Sequence, residues 1–348
     1  MKITKAGYQV IPEGDSVTKK IERIARVCYK SEELIGEGTD LKMLNKLVER
    51  KHYAMLEHAS LAYIVQRETY EYIFGVHDEI MHYRDSHEEA KDIPSILRLR
   101  FTCTDLGDTY RYVVSANIRA WLEFFEYCVK LNSWSGYLKP IVEDVEYRTK
   151  GVVNFLDYVK EYSRRNLAGM QIYVEFVSVY DILTYAERMV HEDFSVLFTV
   201  DRGVTHEMVR MRDASFAQES TRYCNYSAGK YGNEITVIKP VFWEEGSECY
   251  EVWKDACEYA EKAYNKLTEL KAPAQQARSV LPTEVKADIV ITTNLVEWRH
   301  IFELRACDLT GPAHPQMKEV MCPLCDDMKV KYEFAFGDLE VKHLQLEG

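Results

Sequence analysis

The sequence has little of what marks disorder, secretion or membrane insertion. Proline and glycine are sparse, 9 and 16 of 348 residues, too few for a flexible multi-domain string. No apolar run reaches the roughly 18–20 residues of a membrane span, and the opening Met1-Lys2-Ile3-Thr4-Lys5-Ala6-Gly7 lacks the apolar core of a signal peptide. Basic charge is short: 44 Lys and Arg against 56 Asp and Glu give a net charge of −12. That excludes a nonspecific grip on a nucleic acid backbone, whereas an anionic small molecule needs only a few local arginines. Nine cysteines, an odd number scattered through the chain, fit reduced thiols in the cytoplasm rather than a disulfide framework. What is present is a globular composition, 47% apolar and 29% charged.

Periodicity supplies the elements. Val17, Ile21, Ile24 and Cys28 predict a helix capped by Asp15-Ser16, and Leu41, Leu44, Leu47 and Val48 a second. Leu61–Val65 suits a strand, and Ile118–Leu131 an amphipathic helix with Trp121, Leu122, Phe125, Cys128 and Val129 on its apolar face. The run 171–180 suits a strand or a buried helix. Phe194–Val200 is a clearer strand, closed by Asp201-Arg202-Gly203, after which Val204, Met208 and Met211 resume helical spacing. A long helix spans about 251–271, and a strand at 289–291 leads into a helix over 294–305. These elements predict one α+β domain over 1–348 with 67–193 as an insertion. One segment echoes another: Asn117-Ile118-Arg119-Ala120-Trp121 with Phe125 resembles Asn294-Leu295-Val296-Glu297-Trp298 with Phe302, each after a β-branched run. Chance recurrence and a partial structural repeat both account for it.

The densest chemistry lies in 201–227. On a continuous helix His206 and Arg210 share a face, while Arg210 and Arg212 lie about 200° apart and cannot grip one small anion together. Either they address different subsites or the helix ends there. Gln218, Ser220, Thr221 and Arg222 offer an amide, two hydroxyls and a guanidinium within five residues, chemistry suited to a phosphate and a sugar. An ordinary helix and polar turn, with the arginines paired to Glu207, Asp213 and Glu219, is the alternative.

Arg210-Met211-Arg212, seven residues, Ser220, then Thr221-Arg222-Tyr223 resembles the signature of flavin-dependent thymidylate synthases: Arg-His-Arg, seven residues, Ser, then Arg-Tyr. Ala25-Arg26-Val27-Cys28-Tyr29, Leu56-Glu57-His58, Ala277 to Pro282, Asn294 to Arg305 and Ala313 to Met317 are similar to further family stretches in the same order. The resemblance implies an α+β fold with a mixed or antiparallel sheet and long helices, its sites assembled between subunits of a cytoplasmic homotetramer. It implies conversion of dUMP to dTMP with methylenetetrahydrofolate as carbon donor, FAD as hydride carrier and NADPH as reductant. By position, Glu207, Arg210, Gln218, Ser220, Thr221, Arg222, Arg278 and Arg305 line the dUMP site, with Arg305 the catalytic cation beside the base. FAD meets His52, Arg210, Met211, Arg212, Gln218, Asn294 and His300. No metal and no nucleic acid or membrane partner is implied.

The departures fall mainly on the flavin side. Met211 replaces the middle histidine, Val296 stands where many relatives carry arginine, and Glu207 replaces a common glutamine. They keep two other readings open: a related one-carbon transfer such as hydroxymethylation, and a catalytically silent nucleotide-binding homologue. Arg119 occupies the place in the echo segment that matches Val296. Cys322-Pro323-Leu324-Cys325 is a lone pair of thiols, short of the four ligands a structural zinc needs.

Overall fold

The structure, a computed structural model, describes residues 1–12, 16–87, 98–152, 172–220 and 234–345. Strands β1 (Lys2–Thr4) and β2 (Gly7–Val10) open the chain. Then come α1 (Val17–Tyr29), α2 (Thr39–Glu49), β3 (Ser60–Val65), α3 (Arg67–Ser86), β4 (Arg100–Asp105), β5 (Tyr110–Asn117), α4 (Ile118–Lys130), α5 (Lys139–Arg148) and β6 (Val174–Phe176). The rest runs α6 (Tyr185–His191), β7 (Asp193–Asp201), α7 (Arg202–Met208), β8 (Ser215–Gln218), β9 (Thr236–Ile238) and α8 (Glu248–Glu269). It ends with α9 (Ala274–Ala277), β10 (Lys286–Asn294), α10 (Leu295–Arg305), α11 (Pro315–Lys331) and α12 (Glu333–Phe336). The architecture is α+β. Among the described residues no helix is long and apolar enough to cross a membrane.

The chain divides into two compact units. Met1–Ile11, Ala25–Glu32 and Phe194–Gly348 form the carboxy-terminal unit, Pro12–Ile24 and Glu33–Asp193 the amino-terminal one. Segment 67–193 lies wholly in the amino-terminal unit, which also takes in chain before it.

The amino-terminal unit holds a four-stranded sheet in the order β4-β5-β3-β6, every pair antiparallel. Strand β5 runs without a loop into α4. Asn117 makes the turn, its side chain accepting from the Ala120 amide at 2.8 Å, which satisfies one of the orphan donors of the first turn. Trp121 is fully buried and donates Nε1 to the Leu61 carbonyl of β3 at 3.3 Å, while Phe125 stacks on it at 5.7 Å. Of the run 171–180 only Val174–Phe176 is strand; Gln171 lies outside the described residues.

The carboxy-terminal unit holds a second four-stranded sheet, β2-β7-β10-β8, and the two-stranded parallel pair β1-β9. Long helix α8 closes over the small pair, burying Tyr250, Trp253, Cys257 and Tyr264 against Ile235, Val237 and Val285. In this unit β10 runs directly into α10. Asn294 caps it by accepting from the Glu297 amide at 3.0 Å, Trp298 donates to the Phe194 carbonyl of β7 at 3.2 Å, and Phe302 stacks on Trp298 at 5.6 Å. The two echo segments thus make the same turn, the same indole hydrogen bond and the same ring stack in their respective sheets. Cys322 and Cys325 sit on α11, buried, and burial pushes their thiols up to about 11 and about 12. Among the described residues no group of three or more His, Cys, Asp or Glu side chains is placed to hold a metal ion.

His191, at the end of α6, is fully buried between two hydroxyls: Ser115 Oγ at 2.7 Å from Nδ1 and Thr102 Oγ1 at 2.9 Å from Nε2. Burial, with Arg100 adding to it, lowers its pKa to about 3. Unfolding restores a histidine of ordinary pKa near 6.5, so the unfolded chain takes up a proton that the folded one refuses. The stabilisation is complete above pH 6.5 and lost as pH falls from there toward 3. The unfolding free energy from urea titrations should fall between pH 6.5 and 5, the slope from this group steepening toward about 1.4 kcal/mol per pH unit. His191→Gln should flatten that slope; an unchanged slope would show that His191 is already charged in the folded chain.

Candidate active site

Helix α7 begins where β7 ends. Asp201 caps it, accepting from the Val204 amide at 2.8 Å, and takes a second bond from Gln316 Nε2 at 2.9 Å. Burial raises the Asp201 pKa. The helix stops at Met208, short of the helical spacing that the sequence carries on to Met211. The physical reason lies in the next strand: β8 must start at Ser215 to pair with β10, so 209–214 is spent on a turn. Met211 is therefore half-buried rather than packed on a helix face, while Arg210 and Arg212 project from the turn exposed. Of the two routes open to that arginine pair, the helix ending before them is the one taken. Neither makes an ion pair among the described residues.

Arg305 ends α10, and its Nη1 meets Glu207 Oε2 on α7 at 3.2 Å. Its Nε is buried without a hydrogen-bond partner among the described residues, so a donor in a half-buried guanidinium is left over, and an acceptor brought to it would recover the desolvation cost. Gln218 donates Nε2 to Thr205 Oγ1 at 2.8 Å, which ties the end of β8 to α7. Asn294 is committed to the cap of α10, and His300 stands exposed on the same helix. Burial raises the Glu297 pKa, and Asp213 adds to the rise.

The residue before Ser220 carries a feature that the spacing of motifs did not signal. Glu219, Asp288, Lys30 and Lys286 form a mostly buried cluster of two carboxylates and two ammonium groups. Glu219 Oε2 lies 3.2 Å from Lys30 Nζ and 3.3 Å from Lys286 Nζ, Asp288 Oδ2 lies 2.6 Å from Lys286 Nζ, and Lys30 also bonds Asp288. The Glu219 amide donates to the Asp288 carbonyl at 2.8 Å and Thr199 Oγ1 donates to Asp288 Oδ1 at 2.7 Å. Burial alone would push the Asp288 carboxyl up, but the two lysines outweigh it and hold it low. Burial opposes the Lys30 charge, yet Glu219 and Asp288 keep its pKa raised. The Ser220 amide reaches the Cys28 carbonyl at 3.5 Å. The cluster fixes where the chain leaves β8 toward Ser220.

Not all the expected residues come together. Glu207 and Arg305 touch, Gln218 is tied to α7, and Ser220 follows the ionic cluster. Arg278 lies exposed in the short turn Arg278–Val280. Thr221 and Arg222 fall outside the described residues. His52 belongs to the amino-terminal unit, just before the short helix Tyr53–His58. Arg119 is engaged there by Glu57 at 2.8 Å and Glu123 at 2.7 Å. Among the described residues Glu219 takes lysines, and Glu207 takes Arg305 in place of Arg210 or Arg212.

Residues 182–330 match the family described as "Thymidylate synthase complementing protein". Over much the same length the chain is similar to curated flavin-dependent thymidylate synthases. It is 31% identical over 155 residues to the flavin-dependent thymidylate synthase of Pyrococcus abyssi, covering 44% of this chain and 62% of that one. With the Corynebacterium glutamicum enzyme of the same name it shares 28% over 160 residues, 42% of this chain and 60% of that one. The chain thus spans about three fifths of the length of these relatives. A crystal structure of the UMP/dUMP methylase PolB from Streptomyces cacaoi bound with 5-Br dUMP aligns over 96% of this chain and 93% of that chain. Its TM-score is 0.36 at 13% identity, too loose a likeness to bear on the site.

Removing one member of the ionic cluster leaves a buried carboxylate underpaired. Lys30→Met should cost on the order of 3 kcal/mol in unfolding free energy, read by chemical denaturation. A cost below about 1 kcal/mol, the value of an exposed ion pair, would show the cluster to be solvated.

Proposed function

We propose that the chain is a flavin-dependent thymidylate synthase that methylates dUMP to dTMP, with methylenetetrahydrofolate as carbon donor and NADPH as reductant. The observation that carries this reading is Arg305: a guanidinium held by Glu207 at 3.2 Å with its Nε buried and unsatisfied among the described residues, on the helix that the matched family segment contains. C5 of uracil is a weak nucleophile and gains electron density when the ring ionises. A fixed cation beside the ring favours that ionised form, and arginine stays charged at any working pH. Glu207 orients the guanidinium through one Nη, leaving Nε and the other nitrogen for the base.

Gln218, Ser220, Thr221, Arg222 and Arg278 would take the sugar and phosphate. Exposed Arg210 and Arg212, with Asn294, His300 and Met211, would hold FAD; two guanidinium groups without ion pairs among the described residues fit its diphosphate. When bound, the flavin supplies the hydride that completes the methyl group. A cytoplasmic homotetramer belongs to the same reading. One observation favours a second product: Met211 and exposed Val296 put no cation or imidazole where relatives carry histidine and arginine, so weak flavin binding would end the reaction at hydroxymethylation.

Purified protein incubated with FAD should show a flavin absorbance spectrum, and NADPH, methylenetetrahydrofolate and dUMP together should yield dTMP. Arg305→Ala should lower kcat by about 100-fold or more, the scale for losing a preorganised electrostatic partner. A flavin-free protein that turns over neither dUMP nor dCMP would favour a silent homologue, and 5-hydroxymethyl product the second reading.

A further inference from the structure

Residues 60–130 of the amino-terminal unit and 194–305 of the carboxy-terminal unit share more than one echo segment. Each begins with a strand and passes through a helix to a second strand of the same sheet; a further strand of that sheet, reached directly in one copy and after β9, α8 and α9 in the other, runs through an Asn cap into a helix. The sheet orders correspond: β4-β5-β3-β6 in one unit and β8-β10-β7-β2 in the other, read in the same direction. In both, the tryptophan four residues past the cap donates to a carbonyl near the start of the neighbouring strand, Leu61 or Phe194. The intervening helices, together with the turn that follows α7, repeat a pattern as well. Val76-x-x-Glu79-Ile80-x-x-x-Arg84-Asp85 matches Val204-x-x-Glu207-Met208-x-x-x-Arg212-Asp213, with Val76, Ile80, Val204 and Met208 all buried. A shared motif with an unshared fold would be chance; here sequence pattern, strand order and hydrogen bonds agree.

The copies differ where the chemistry lies. Eleven residues past the cap stands Arg305 in one and Cys128 in the other, the cysteine fully buried. Arg210 is matched by His82. The helix carboxylate is kept, but its partner changes: Glu207 accepts from Arg305 at 3.2 Å, whereas Glu79 accepts from the Ser133 hydroxyl at 3.1 Å. The amino-terminal copy builds the same sheet and helix without either arginine, so the fold does not require them. We infer that the chain is two copies of one fold unit of which only the carboxy-terminal one keeps a nucleotide site, giving one nucleotide bound per chain. The inference rests on the nucleotide reading of Arg305.

Equilibrium dialysis of the full chain with radiolabelled dUMP tests it, alongside Arg305→Cys and Arg210→His, which copy the amino-terminal residues. One dUMP per chain is expected. Both variants should melt within a few degrees of the parent, and Arg305→Cys should bind dUMP about 100-fold more weakly, the loss expected for a charged hydrogen-bonding partner. Two dUMP per chain, or half the sites surviving Arg305→Cys, would overturn the inference and leave the nucleotide reading standing. No binding by the parent chain would remove both. Unfolding of both variants would show that the arginines serve the fold, and the comparison between copies would fail.

Discussion

The indole hydrogen bond from Trp298 to the Phe194 carbonyl is the constraint from which the candidate site follows. A helix that leaves a strand without a loop could swing through a wide range of directions. The Asn294 cap sets its first turn, and the tryptophan pins its second turn to the backbone of the adjacent strand. With Phe302 stacked on that ring, the far end of the helix has one place to go, and Arg305 arrives beside Glu207. The contact is a buried, directional bond between a donor that must find an acceptor and a carbonyl at the sheet's edge of regularity.

The ionic cluster does comparable work for the other wall. Four charges of balanced sign would be costly to bury singly. Together they join the residues just past α1 and β8, Lys30 and Glu219, to Lys286 and Asp288 of β10, one residue before Ser220. Their pKa directions follow from the pairing: lysines held charged, aspartate held ionised, in spite of burial.

Much of this was legible in the sequence. The strand-to-helix turns at Asn117 and Asn294 were visible because an Asn cap and a Trp and Phe on one helix face leave a local signature. The family motif around Arg210 and Ser220 was visible because ligand chemistry concentrates unusual residues in a short span. The end of helix α7 was not, since Met211 continues the apolar spacing and only the pairing of β8 with β10 forces the break. The cluster of Lys30 with Glu219, Asp288 and Lys286 was also hidden, because each residue alone reads as an ordinary surface charge. The kinship of 60–130 with 194–305 was half seen: the echo segment showed, but the arginines that would have advertised it are gone from the earlier copy.

Covalent linkage of two related sheets alters what mutation can do to each. A protein with a single copy must keep every side chain that serves both packing and chemistry, whereas here the earlier copy answers to packing alone. It can trade a guanidinium for a thiol that fills space, as at Cys128, and its outer loops are free to lengthen. Such a half of the molecule would drift faster than its sibling while the buried tryptophan anchors stayed put in both.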